Sequence, residues 1–90
     1  MKIDDLQWDD KNVEHLAIHS VAPQEAMDIC FGFHVAEKED GQRYILSGQT
    51  EGGRYINVVI EKIGKGLFRP ISAFEMSESY KRRYKNRFKK

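Results

Sequence analysis

Three arginines close to the ends of extended segments, Arg43, Arg54 and Arg69, with Lys62 as a weaker fourth, are the side chains best suited to hold a phosphate. The arginine fork matches two phosphate oxygens at once, which a lysine ammonium cannot do. Proton transfer has four candidates, His19, His34, His15 and Glu61, with His19 the leading one. Imidazole titrates near neutrality and can give or take a proton. Together these groups meet the demands of cutting RNA without a metal. A base takes the proton of a 2′-hydroxyl, cations balance the charge building on the phosphoryl oxygens, and an acid serves the leaving 5′ oxygen. Everyday roles compete with this chemistry. Arginines at strand ends are commonly solvated, and a histidine at a helix C-terminus such as His19 also serves as a cap favoured by the helix dipole. His15 and His19 stand at i and i+4, the spacing of a two-histidine metal site, but no third ligand lies near them, so no metal is expected. Cys30 suits a core position better than a nucleophile's, and there is no glycine-rich phosphate loop, GxSxG elbow or CxxC pair.

The elements that must position these groups follow an α+β pattern. Ile3 to Trp8 reads as a short opening strand, with Asp9 as N-cap of a helix over 10–19, and Trp8 and Val13 fall at the positions of a hydrophobic staple. Val13, Leu16 and Ala17 are spaced to form that helix's apolar face. Pro23 suits the first turn of a second helix, on which Ala26, Ile29 and Cys30 share one side. From Phe31 the period changes, and strands are expected at 31–37, 43–50, 54–62 and 67–73, separated by Asp40–Gly41, Gly52–Gly53 and the Gly64/Gly66 turn. Short turns between consecutive strands imply antiparallel pairing. In the third of these strands Ile56, Val58 and Ile60 alternate with Tyr55, Asn57 and Glu61, giving an apolar face for the helices to cover.

At 90 residues the chain has length for one domain, 1–90, with a small core. Its 40% hydrophobic and 11% aromatic content argues against disorder, and apolar runs such as Val58 to Ile60 are far too short to span a bilayer. A single cysteine and an acidic N-terminus without signal-peptide character lead us to expect a reducing, cytoplasmic setting. The net charge of +1 conceals a division. Residues 1–40 carry three lysines against ten acids, net −7, and residues 41–90 carry twelve Lys and Arg against four Glu, net +8. The positive half attracts RNA, DNA or an acidic protein; alternatively the two halves neutralise each other within the fold.

Much of that positive charge is at the C-terminus. A helix can start at Ser77, and Met76, Tyr80, Tyr84 and Phe88 recur every four residues as an apolar stripe among Lys81, Arg82, Arg83, Lys85, Arg87, Lys89 and Lys90. The stripe reads as core contact, and the cations as an RNA-binding face led by Lys81, Arg82 and Arg83, or else as a solvated one.

The ordered set Trp8, Asp9 and Lys11, then His19, Glu25 and Ala26, then Arg43, Gly53 and Arg54, and finally Arg69, Ile71, Ser72 and Ala73 before a basic helix resembles the BrnT family of toxins over nearly the whole chain. The resemblance implies a RelE-like fold, an antiparallel sheet packed against two N-terminal helices with a basic C-terminal helix. It implies a ribonuclease of a type II toxin-antitoxin system that inhibits translation. It also implies a BrnA-like antitoxin partner in a hetero-oligomer, with DNA contacted only through that antitoxin. The chain departs from the family's usual residues at Ser20 for Gly, Gln42 for an acid, and Phe74 for Arg.

Two readings follow. One is a metal-independent endoribonuclease that needs no cofactor, with Arg54, Arg69, His19, Arg43 and Glu61 catalytic and Lys62, Lys81, Arg82 and Arg83 binding RNA. The other is a non-catalytic or degenerate relative that binds RNA or an antitoxin, and Phe74 favours it. The first requires Arg43, Arg54 and Arg69 to meet in one groove.

Overall fold

The computed structural model describes residues 1–88; Lys89, Lys90 and the Phe88 side chain lie outside the described residues. In chain order the elements are β1 (Asp5–Leu6), α1 (Asp10–Ile18), α2 (Pro23–Phe31), β2 (Val35–Lys38), β3 (Arg43–Gln49), β4 (Tyr55–Gly64), β5 (Leu67–Glu75) and α3 (Glu78–Phe88). The five strands form one sheet in the order β1-β5-β4-β3-β2. Pairing is antiparallel from β2 through β5, as the short turns require. β1 is an exception: two residues long, it pairs with β5 in parallel, so the sheet is mixed where the sequence pattern implied a purely antiparallel one. Among the described residues no helix is long and apolar enough to cross a membrane.

Local signals account for the helices. The Asp9 carboxylate accepts from the Asn12 amide at 2.8 Å, the N-cap bond expected of it. At the other end of α1, Ser20 holds φ 58°, the left-handed conformation that glycine adopts most readily. Its N–H donates to Ala17 O at 2.9 Å and the Val21 N–H to Leu16 O at 3.0 Å, which is a Schellman C-cap. The face of α1 differs from expectation. Leu16 and Asn12 are buried, whereas Val13 and Ala17 are exposed, because α1 lies along β5 and turns only a narrow stripe inward. The face of α2 is the expected one, with Ala26, Ile29 and Cys30 buried. That helix runs through Phe31, so β2 starts at Val35 and not at residue 31.

The core lies between this sheet face and the two N-terminal helices, where Leu16, Ile29, Leu46, Ile56, Val58 and Ile60 are fully buried. Each such side chain contributes about 1.5–3 kcal/mol of transfer free energy. Gly48 on β3 is a point of close approach, since a Cβ there would stand 2.9 Å from Phe33 O and 3.2 Å from Ile29 Cδ1.

The opposite face, carrying the odd-numbered residues of β3 and β4, receives α3. Tyr84 is buried and meets Tyr55 edge to face, with ring centroids 6.0 Å apart. The Tyr80 hydroxyl lies 3.3 Å from Ser47 Oγ and donates to Glu37 Oε1 at 3.2 Å. Below it, Ser47 Oγ donates to the buried Asn57 Oδ1 at 2.6 Å.

Candidate active site on the open sheet face

Cross-strand register defines the site. Arg43 on β3 stands directly opposite Glu61 on β4, and Glu61 directly opposite Arg69 on β5. Residues paired in this way point to the same side of a sheet, so the three side chains form one row, arginine, glutamate, arginine. It is the face that α3 occupies, but α3 contacts Tyr55, Ser47 and Glu37 and leaves this end open. Between the row and α3 lie the half-buried Ser72, Val59 and Ile45.

A one-residue irregularity puts Arg69 there. Val59 pairs with Ser72, but Ile60 pairs with Pro70, so Ile71 is a bulge. Without it Pro70 would face Glu61 and Arg69 would turn towards the core side. Pro70 suits this break, since it cannot donate a ladder hydrogen bond. In the row, Arg69 Nη2 donates to Glu61 Oε1 at 2.6 Å, with the two side chains 41% and 27% exposed. The Arg69 Nε is buried with no hydrogen-bond partner. The fork thus spends one donor on Glu61 and retains others. Arg43 is exposed, makes no ion pair among the described residues, and lines a shallow hollow with Lys38, Glu39 and Asp40. The arrangement can present a carboxylate flanked by two guanidiniums to a phosphodiester.

Arg54 is not part of the row. It precedes β4, whereas Glu61 lies near the other end, so seven residues at about 3.3 Å each separate them by roughly 23 Å. Its Nη1 donates to Glu25 Oε1 at 2.8 Å and Oε2 at 2.9 Å and to Ser20 O at 2.9 Å, while Nε lies 3.5 Å from Glu75 Oε2. The hydrogen bond to Glu25 chiefly, with the two nearby carboxylates, raises the Arg54 pKa. Glu25 is lowered in turn, first by the Ala22 N–H that donates to it at 3.0 Å and then by Arg54. Arg54 therefore clamps the α1–α2 turn to the sheet. The three arginines do not meet in one groove as the nuclease reading required; Arg43 and Arg69 share a row, Arg54 is engaged by acids elsewhere, and a nuclease reading has two arginines to stand on, not three.

The other expected residues are dispersed. His19 caps α1 and packs edge to face on Phe74, centroids 6.3 Å apart, so Phe74 serves as a ring contact. Phe74 is five residues along β5 from Arg69, and His19 does not join the row. His15 Nδ1 bonds Ile71 O at 3.3 Å, at the bulge itself. His34 Nδ1 donates to Ile29 O at 2.9 Å, leaving Nε2 buried without a partner. Among the described residues no group of three or more His, Cys, Asp or Glu is placed to hold a metal ion. Lys62 follows Glu61 on the strand and so projects to the opposite face. Lys81, Arg82 and Arg83 are on α3, with Arg83 over the Tyr80 ring at 4.7 Å. Burial pushes the Cys30 thiol up to about 12, which leaves it unreactive.

Sequence reasoning missed two participants. Glu37 is the floor residue that Arg87 and Tyr80 both bind, with Arg87 Nη1 3.1 Å from Oε2. The Ile71 bulge is the other, and Pro70 inside a strand was its available signal.

With this geometry established, comparison with solved structures gives the fold a precedent. It is the fold of a small ribonuclease toxin. The crystal structure of the Brucella abortus ribonuclease toxin BrnT aligns with a TM-score of 0.67, covering 82% of this chain and 97% of that one at 20% sequence identity. No protein-family model and no curated protein sequence matches the chain. The resemblance read from the motifs thus extends to the fold, a five-stranded sheet with three helices.

Proposed function

We propose that this protein is a ribonuclease toxin of a type II toxin-antitoxin pair that cuts RNA without a metal and so inhibits translation. The observation that carries this reading is the Arg43–Glu61–Arg69 row on an open sheet face, in a fold like that of a ribonuclease toxin. Glu61 takes the proton of the 2′-hydroxyl, and the freed oxygen attacks phosphorus. Arg69 and Arg43 carry the charge that builds on the phosphoryl oxygens, the 5′ oxygen leaves, and a cyclic phosphate remains. Because His19 stands apart from the row, the leaving oxygen takes its proton from solvent on this exposed surface. Arg69 also fixes the position of the Glu61 carboxylate, with Nη2 donating to Oε1 at 2.6 Å.

An antitoxin partner would present acidic groups to the row and to α3, occluding the RNA surface and raising the stability of the small core. The purified chain should melt well below its complex.

Two observations favour a second reading, a module that binds RNA or an antitoxin without cleaving. Phe74 stands where the resemblance implies a cation, and Arg54 is ion-paired with Glu25 and Glu75. Expression of the chain alone decides between the two. Growth arrest with RNA fragmentation, relieved by Glu61→Gln, supports the nuclease. Normal growth and intact RNA at verified soluble expression assign the binding module.

A further inference from the structure

The cations of α3 divide between the helix's two flanks. On the flank towards the Arg43–Glu61–Arg69 row, Arg87 is paired with Glu37 and Arg83 lies over the Tyr80 ring. On the other flank, Lys81 Nζ and Lys85 Nζ each lie 5.0 Å from the centroid of the same ring, Tyr55. The two ammonium groups are therefore no farther apart than twice that distance. Arg82, exposed on the adjoining turn, makes no ion pair among the described residues, and it lines a shallow hollow with Lys81 and Lys85. The only acid lining that hollow is Glu78, whose carboxylate is 85% exposed and 3.5 Å from Lys81 Nζ.

A ring face attracts an ammonium group without cancelling its charge, and the one carboxylate paired with Lys81 among the described residues, that of Glu78, is 85% exposed and screened by water. Tyr55 is itself held edge to face by the buried Tyr84, so the ring that gathers the lysines is fixed in place. The result is two converging positive charges on one flank of a helix, a geometry that favours anions bridging them.

We infer that Lys81, Lys85 and Tyr55 form a second binding site, one for RNA backbone phosphates several nucleotides from the bond to be cut. This deepens the nuclease reading and rests on it for the identity of the polyanion. Tyr55 and Glu61 stand six residues apart on β4, roughly 20 Å at 3.3 Å per residue, too far for a dinucleotide to touch both. RNA held at both places passes over α3. The site accordingly acts on long substrates, through affinity.

The test measures binding of a twenty-nucleotide and a two-nucleotide single-stranded RNA across a salt series. It uses the full chain carrying Glu61→Gln, which prevents cleavage, with and without Lys81→Gln and Lys85→Gln. Each phosphate contact on a single strand contributes about 0.7 to the slope of log affinity against log salt. Losing two should lower that slope by about 1.4 for the long RNA and shrink its affinity advantage over the short one roughly tenfold or more. An unchanged slope and an unchanged length advantage overturn the inference and assign the flank to an acidic protein instead. Equal losses for both RNA lengths overturn it too, since they would place the lysines at the cleavage row. A chain that binds long RNA through these lysines but never cleaves sinks the nuclease reading and leaves this site standing. Cleavage by wild type with no effect of the lysines does the reverse.

Discussion

Glu61 and Arg69 face each other across β4 and β5, Oε1 to Nη2 at 2.6 Å, because Ile71 is bulged out of register two residues along β5 from Arg69. The pair ties the acid–base candidate to a phosphate-binding candidate through backbone geometry and not through chance side-chain reach. Its first consequence is kinetic. Replacing Glu61 by Gln should lower the cleavage rate by about a hundredfold to ten-thousandfold, the range for loss of a general base. Arg69→Ala should cost on the order of a hundredfold or more. Single-turnover cleavage of a short RNA measures both, and rates within threefold of wild type would remove the row from the mechanism.

Arg54 behaves differently. Its bonds to Glu25 and Ser20 make it a clamp, so Arg54→Ala should destabilise the fold by about 1–2 kcal/mol. The expected signature is a lowered urea midpoint with any cleavage rate of the folded protein retained. A rate loss at unchanged midpoint would return Arg54 to the active site.

The partner of that clamp sets an acid dependence. The Glu25 carboxyl has a lower pKa folded than unfolded, owing first to the Ala22 N–H and then to Arg54. Its contribution to stability is therefore complete above the unfolded value and disappears as pH falls through the folded one. Glu25→Gln should be less stable than wild type at neutral pH, with the difference closing in acid. Denaturation midpoints at a series of pH values give the comparison, and a gap that widens in acid contradicts the assignment.

Ser20 offers a gain of stability. It sits at φ 58° in the C-cap of α1, where a Cβ is unfavourable by about 1–2 kcal/mol and glycine's extra unfolded freedom offsets part of the relief. Ser20→Gly should leave a net gain of up to about 1 kcal/mol, or about 4–8 °C in Tm for a chain of this size. Its carbonyl, which accepts from Arg54, is retained by the substitution.

How much of this was legible in the sequence depended on the range of the interaction responsible. Asp9 as a cap, Pro23 at a helix start and the alternation Ile56, Val58, Ile60 are signals within one turn or one strand, and the elements they mark are present at those places. Arg43 and Glu61 could be nominated by residue type, but their direct opposition depends on the β3–β4 register. Arg54 looked like a phosphate ligand because its partner, Glu25, is on helix α2, 29 positions earlier, and nothing near Arg54 announces it. Val13, Leu16 and Ala17 suited the apolar face of α1 by spacing alone, yet the helix lies along β5 and buries Leu16 with Asn12, leaving Val13 and Ala17 exposed. The parallel pairing of β1 escaped notice for a similar reason, since two residues carry no period.

The polar chain beneath α3, from Asn57 through Ser47 and Tyr80 to Glu37, bears on how that helix can rotate. Purely oily contacts would let a short amphipathic rod roll about its own axis at little cost, but these bonds are directional and partly shielded from water. They act as a detent, fixing which cations overlook the cleavage row and which look away. A Tyr80→Phe chain would keep the hydrocarbon contact and lose the detent, so that the two flanks of α3 would blur into one.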